Sequence, residues 1–268
     1  MEGCGAAQNA GITVVSFTQS RAPMSASPAI LITRPEAAAR RFGEALRAAG
    51  CDAPQVIAPI LDIQPVAGAL ASSPLAPGAA RGVILSSVHG VAGFAAQTAL
   101  RPPAWCVGQS TARAARDAGF DVQAAAEHAD DLFRLMVGAG STGPFLHPRG
   151  RHARGALAQR LAEAGLPATE VVIYEQNARP LGADARALLL GGAPVIAPVF
   201  SPRTARLLAE AAQGATAPLH LVAISDAAAQ AWREFGAEPG LALRIARRPD
   251  ADAMVEATMA AAKAACAP

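Results

Sequence analysis

Short segments of this chain set hydroxyl, imidazole or guanidinium groups directly after apolar runs. They are Thr33-Arg34-Pro35, Ser86-Ser87-Val88-His89, Gly108-Gln109-Ser110-Thr111, His147-Pro148-Arg149-Gly150, Ser201-Pro202-Arg203-Thr204 and Ser225-Asp226. If the apolar runs are parallel strands and helices follow them, these segments lie at the carboxyl ends of the strands, where free helix N–H groups favour anions. A hydroxyl in such a place caps the next helix, worth about 1 kcal/mol, and capping accounts for each segment taken singly. Together they ask for more. Arg34, Arg149, Arg151 and Arg203 add fixed cations at the same ends, which suits a ligand carrying several carboxylates or phosphates.

Tyr174 is the single tyrosine of the chain. A phenol donates or accepts a proton and can polarise a leaving oxygen; with an ordinary pKa near ~10, its role at neutral pH is that of an acid. The plainer reading is a linker aromatic with a wet hydroxyl. His89, His147 and His152 fall in or near the same segments and could move protons, but assemble no readable triad. A surface or helix-capping role is the favoured reading of each. Lys263 is the only lysine, which excludes a Schiff base or a P-loop lysine elsewhere. No Gly-rich nucleotide fingerprint and no GxSxG elbow is present. Cys4, Cys51, Cys106 and Cys266 are too dispersed for a zinc site and fit a reducing cytosol. Asp130-Asp131 reads as the N-terminal cap of a helix beginning at Leu132.

The elements that position these groups follow from composition and periodicity. With 268 residues and 52% hydrophobic content, the chain can bury two cores and is not disordered. The net charge of +2 gives no reason for non-specific nucleic-acid binding. No apolar run approaches the ~20 residues that cross a bilayer. Residues 1–27 read as a disordered leader, with Met24 as an alternative start.

From Ala29 onward, strand-like runs alternate with alanine-rich helical stretches. Ala29–Thr33 is followed from Pro35 by a helix with Ala38, Phe42, Ala45 and Leu46 at helical spacing. The same unit returns at Phe145–Arg149, with a helix through Leu157 and Leu161. Gly82–Ser87 pairs with Val195–Ser201, and Ala104–Gly108 with Leu219–Ser225, each about 115 residues apart, longer than any solenoid period. The order is permuted, since the unit that opens the chain matches the one that closes the other set.

The fold class expected is therefore α/β, with two similar doubly wound parallel-sheet domains. One is discontinuous, from 28–62 plus 178–268, and one continuous, from 67–171. The crossings, about 58–67 and 171–178, are extended and could pair as a two-stranded linker.

In order and spacing, Ile32-Thr-Arg-Pro35, Ile84-Leu-Ser-Ser-Val-His-Gly90, Val107-Gly-Gln-Ser-Thr111, Arg149-Gly150, Val172-Ile-Tyr-Glu175, Phe200-Ser-Pro202 and Ala223-Ile-Ser225 resemble the uroporphyrinogen-III synthase family. The resemblance covers 29–260. It implies a two-lobed fold and cofactor-free, metal-free cyclisation of hydroxymethylbilane, a linear tetrapyrrole with many carboxylates. The terminal hydroxyl leaves, a spiro intermediate forms, and ring D is inverted on reclosure. Positioning the two chain ends accounts for most of the work. By the same resemblance Tyr174 assists hydroxyl departure, Ser87, Thr111 and Ser201 line the cleft, and Arg34 and Arg149 meet carboxylates. Ser86, Gly108, Ser110 and Ser225 complete the expected binding set. The chain departs from the family at Ser225-Asp-Ala-Ala228, where relatives carry Gly-Pro-Thr-Thr, so no threonine role transfers there.

The expected partner is this small-molecule substrate, with no nucleic acid and no membrane, for a cytoplasmic monomer. The alternative reading is a non-catalytic, hinged two-lobed sensor for an anionic metabolite.

Overall fold

The computed structural model describes residues 27–152, 155–236 and 242–266. Apart from Ser27, the expected leader lies outside the described residues, and Met24 and Cys4 lie outside them too.

The chain begins with β1 (Ala29–Ile32), α1 (Glu36–Ala48), β2 (Gln55–Ile57), β3 (Leu61–Pro65), β4 (Gly82–Leu85) and α2 (Val88–Gln97). It continues through β5 (Ala104–Val107), α3 (Gln109–Asp117), β6 (Val122–Ala126), α4 (Ala129–Gly138), β7 (Phe145–Gly150), α5 (Leu157–Glu163) and β8 (Ala168–Ala178). The last part holds α6 (Ala183–Leu189), β9 (Val195–Val199), α7 (Pro202–Ala211), β10 (Leu219–Ala223), α8 (Asp226–Phe235), β11 (Ala242–Ile245) and α9 (Ala251–Ala265).

Two sheets result, ordered β11-β10-β9-β1-β2 and β6-β5-β4-β7-β8-β3. All ladders are parallel except β3 with β8. The α/β class with parallel-dominated sheets is as the alternation predicts. The short, fully apolar β1 and β4 are buried along their whole length, because helices cover both faces of each sheet. In the first sheet one face packs on α6, α7 and α8, through Leu189, Leu208 and Trp232. The other packs on α1 and α9, through Phe42, Leu46 and Met254. The second sheet repeats this, with Phe94 and Ala112 of α2 and α3 on one face and Leu132, Met136, Leu157 and Leu161 of α4 and α5 on the other.

Setting β1 against β7, β9 against β4, β10 against β5 and β11 against β6 makes the two strand orders superpose; the first three couples are those the sequence pairs, and the fourth is not among them. In each sheet the winding direction reverses between two neighbours, β1 with β9 and β4 with β7, and such a reversal opens a crevice at the strand ends.

Details differ from the sequence reading. The crossings at about 58–67 and 171–178 do meet in a short antiparallel ladder, as the sequence allows, but the second crossing is not confined to a linker. It belongs to β8, which pairs in parallel with β7 from Ala168 to Tyr174 and then antiparallel with β3, Pro65 opposite Tyr174 and Leu61 opposite Ala178. Asp130 and Asp131 lie in the first turn of α4, whose N-cap is His128; they complement the helix dipole without capping it. The buried stripe of α1 is Ala39, Phe42, Gly43 and Leu46, with Ala45 exposed. No described helix is long and apolar enough to cross a membrane.

Candidate functional site

At the reversal point of the first sheet, β1 delivers Thr33 and Arg34. The Arg34 guanidinium lies over the Phe200 ring, 3.8 Å from its centroid, and Phe42 meets the same ring edge-on at 4.9 Å. This packing fixes the cation. Burial, helped by Arg41, pushes its pKa down to about 10, and among the described residues no carboxylate holds it. A half-desolvated cation without a counterion is stabilised by an anion arriving from solution. Ser201 and Ser225 cap α7 and α8, accepting from the N–H groups of Thr204 and Ala228. Asp226 is exposed in the first turn of α8.

The reversal point of the second sheet carries two hydrogen-bonded chains on adjacent residues. Ser87 caps α2 and is 3.0 Å from the Tyr174 hydroxyl. Ser86 Oγ is 3.0 Å from His147 Nε2. Side chains alternate across extended backbone, so the neighbouring serines reach opposite faces of the sheet. Tyr174 is only 7% exposed, packed among the apolar side chains under α2 and against the His89 ring, centroids 5.5 Å apart. The plainer reading of the sequence, a linker aromatic with a wet hydroxyl, does not describe the ring. It is buried instead, because β8 stays in the sheet as far as Tyr174, and half-buried Ser87 is the more exposed partner. The His89 imidazole is held below its ordinary value by burial first, then by Arg34 and Arg41, so the two reversal points sense each other's charge.

Between the sheets lies a cleft of about 450 Å³. One wall is Arg34, Phe200, Ile224 and the segment Arg248–Ala251; the other is Gly108, Gln109, Ser110, Glu127 and His128. Both walls are built from strand carboxyl ends and helix N-termini. Gly108 turns at φ 85°, a conformation that favours glycine and aims the N-terminus of α3 at the cleft.

Of the expected binding residues, Arg34, Gly108 and Ser110 line this cleft. Thr111 is buried in the first turn of α3. Ser86, Ser87, Ser201 and Ser225 stand at strand ends beyond its lining. Arg149 is not a free cation: its Nε donates to Glu170 at 2.7 Å and its Nη1 to the Gly150 carbonyl. Arg151 is paired with Glu175, and Arg203 donates to the Gln176 carbonyl of β8. His152 is exposed.

Sequence reading missed Glu127, His128, Arg248 and Asp250 as cleft residues. They follow β6 and β11, and neither strand has a readable signature. Val122-Gln-Ala-Ala-Ala126 is as alanine-rich as the helices, and Ala242-Leu-Arg-Ile245 is a half-exposed edge.

A family model described as uroporphyrinogen-III synthase HemD matches residues 30–256. The crystal structure of uroporphyrinogen-III synthetase from Helicobacter pylori is similar in fold, with a TM-score of 0.59 at 17% identity, covering 87% of this chain and 99% of that one. A mutant uroporphyrinogen III synthase from Thermus thermophilus gives 0.51 at 17% identity, over 89% and 100% of the two chains. A search of curated proteins found no match.

Proposed function

The chain belongs to the uroporphyrinogen-III synthase family, and from that premise we propose how its sheets carry out the reaction, the cyclisation of hydroxymethylbilane to uroporphyrinogen III. The two sheets act as two domains. One is drawn from residues 28–62 and 178–268 and the other from 67–171, and they hinge about the paired β3 and β8. The substrate, a small-molecule tetrapyrrole, is held between them, with its carboxylates met by Arg34 and by the helix N-termini at Gly108–Ser110, Ser201 and Ser225. The observation that carries this reading is Arg34: a cation stacked on Phe200 in a cleft between two sheets, with no carboxylate partner among the described residues.

Binding at both strand-end crevices brings the ends of a flexible chain together, and such positioning contributes several kcal/mol, up to about 7–11 in well-oriented cases. Tyr174 assists departure of the terminal hydroxyl. The buried phenol is bonded to Ser87 Oγ, so Ser87 is the group the substrate meets first and the phenol supplies the proton behind it. Arg149, already satisfied by Glu170, orders β7 and β8 more than it binds substrate. The enzyme works as a cytoplasmic monomer without a cofactor.

Freshly prepared hydroxymethylbilane tests the reading by separation of product isomers. Protein should divert the spontaneous isomer I to isomer III. Isomer I alone, with or without protein, refutes it.

A further inference from the structure

Ser86, His147 and Glu170 form a chain that the roles above leave unused. His147 stands on β7 directly opposite Glu170 of β8, and Ser86 follows the neighbouring β4. Ser86 Oγ and His147 Nε2 are 3.0 Å apart. On the far side of the ring, His147 Nδ1 is 3.7 Å from Glu170 Oε1, and Glu170 Oε2 accepts from Arg149 Nε at 2.7 Å. The imidazole is 5% exposed, and its Nδ1 makes no hydrogen bond. An unsatisfied buried nitrogen is costly in a resting protein. Here it faces a carboxylate at a distance that an imidazolium would shorten, so the pocket is arranged for a ring that gains a proton. Glu170 is held below the usual carboxylate range, first by its contact with His147, with Arg149 adding to it, and so stays anionic.

Resting on the family reaction above, we propose that Ser86, His147 and Glu170 are the proton-accepting arm of the site. Ser86 Oγ meets the substrate, and His147 is the base acting through it. The reaction needs one. The departing hydroxyl leaves as water, taking a proton from the Tyr174–Ser87 side. When ring D recloses, the ring carbon that forms the new bond must lose a proton to restore the pyrrole. That proton passes to Ser86 Oγ as the Ser86 hydroxyl proton moves to His147 Nε2, giving an imidazolium beside the Glu170 carboxylate. One proton is delivered and one recovered, and consecutive residues serve the two transfers from opposite faces of the sheet. His147 and Glu170 are positioning residues, since neither reaches substrate itself.

The charged groups around His147 on its own sheet are Glu170 and Arg149. Helix α2, which packs against β7, carries His89, and the Asp130–Arg160 ion pair that joins α4 to α5 is exposed to solvent.

The test is steady-state kinetics on the intact protein with hydroxymethylbilane, after the wild type is shown to form isomer III. Failure of that control refutes the proposed reaction and overturns this proposal with it. With the control met, Ser86→Ala should lower kcat by about 100-fold, the low end of general-base contributions, with KM unchanged, and Ser86→Thr should recover most of it. Glu170→Gln should also lower kcat with KM unchanged, and in the double variant it should add nothing to the loss from Ser86→Ala, since both act in one proton path. A Ser86→Ala enzyme with wild-type kcat overturns the proposal. So does a Glu170→Gln loss of rate that adds in full to that of Ser86→Ala, the mark of a purely structural contact.

Discussion

Gly150 lies flat against the Tyr174 ring: a Cβ at Gly150 would stand 2.6 Å from Cε2, 2.7 Å from Cζ and 2.9 Å from the phenol oxygen. The two are also register partners where β7 passes β8. The absent side chain therefore sets where the phenol sits, and with it the bond to Ser87. Gly150→Ala should cost about 1–3 kcal/mol as an overpacked site and should displace the phenol. Thermal melts and turnover should fall together.

Tyr174→Phe keeps the ring and its packing but removes the hydroxyl 3.0 Å from Ser87 Oγ, leaving that oxygen only the Gly90 N–H of the helix cap. Turnover should fall by about 100-fold, as expected for loss of a general acid, with KM nearly unchanged and the thermal midpoint close to wild type. An unaltered rate would take Tyr174 out of the mechanism and leave the family assignment standing.

Arg34→Gln removes a cation that burial opposes and that no described carboxylate balances. If its partner is a substrate carboxylate, the variant loses a charge-assisted bond worth about 1.5–3 kcal/mol. KM should then rise by about 10–100-fold. Stability should be kept or improved, since the folded protein no longer desolvates that charge. A variant with wild-type KM and a lowered melting point would mean that Arg34 serves the fold.

Acid should weaken the fold through His89. Burial and then Arg34 and Arg41 hold its folded pKa below the ordinary value, so the unfolded chain takes up the proton first. The neutral ring costs nothing above the unfolded value near ~6.5. As pH falls from there towards the depressed folded value, stability is lost. His220, lowered by burial alone, acts in the same direction. His89→Gln should flatten part of this decline in denaturant titrations between about pH 7 and 5; an unchanged slope would assign the loss to other groups.

How much of this was legible follows from the range of the forces involved. Runs such as Ala29–Ile32 and Gly82–Leu85, each followed by a helix signal, are local patterns, and the units that recur in permuted order take matching places in the two sheets. The hydroxyls at strand ends were readable for the same reason, because capping is an interaction over three residues, as at Ser87, Ser201 and Ser225. Strands β6 and β11 were not, since alanine gives the same local signal in a strand as in a helix and an exposed edge gives little signal at all. With them were lost the cleft residues His128 and Arg248 that follow.

The sequence by itself determined the repeating units, their order and the kinds of group placed at their ends. Only the tertiary structure decided which cations were free. Arg34 and Arg149 look alike in sequence, but Arg34 lies past the end of β1 and stacks on Phe200 in the cleft, whereas Arg149 lies inside β7 and is neutralised by Glu170, brought from 21 residues away by strand pairing. Likewise, the neighbouring serines 86 and 87 read as a pair of caps. Packing gave one a buried phenol and the other a buried imidazole, because partners supplied by other strands are set by three-dimensional contact and leave no mark in local spacing.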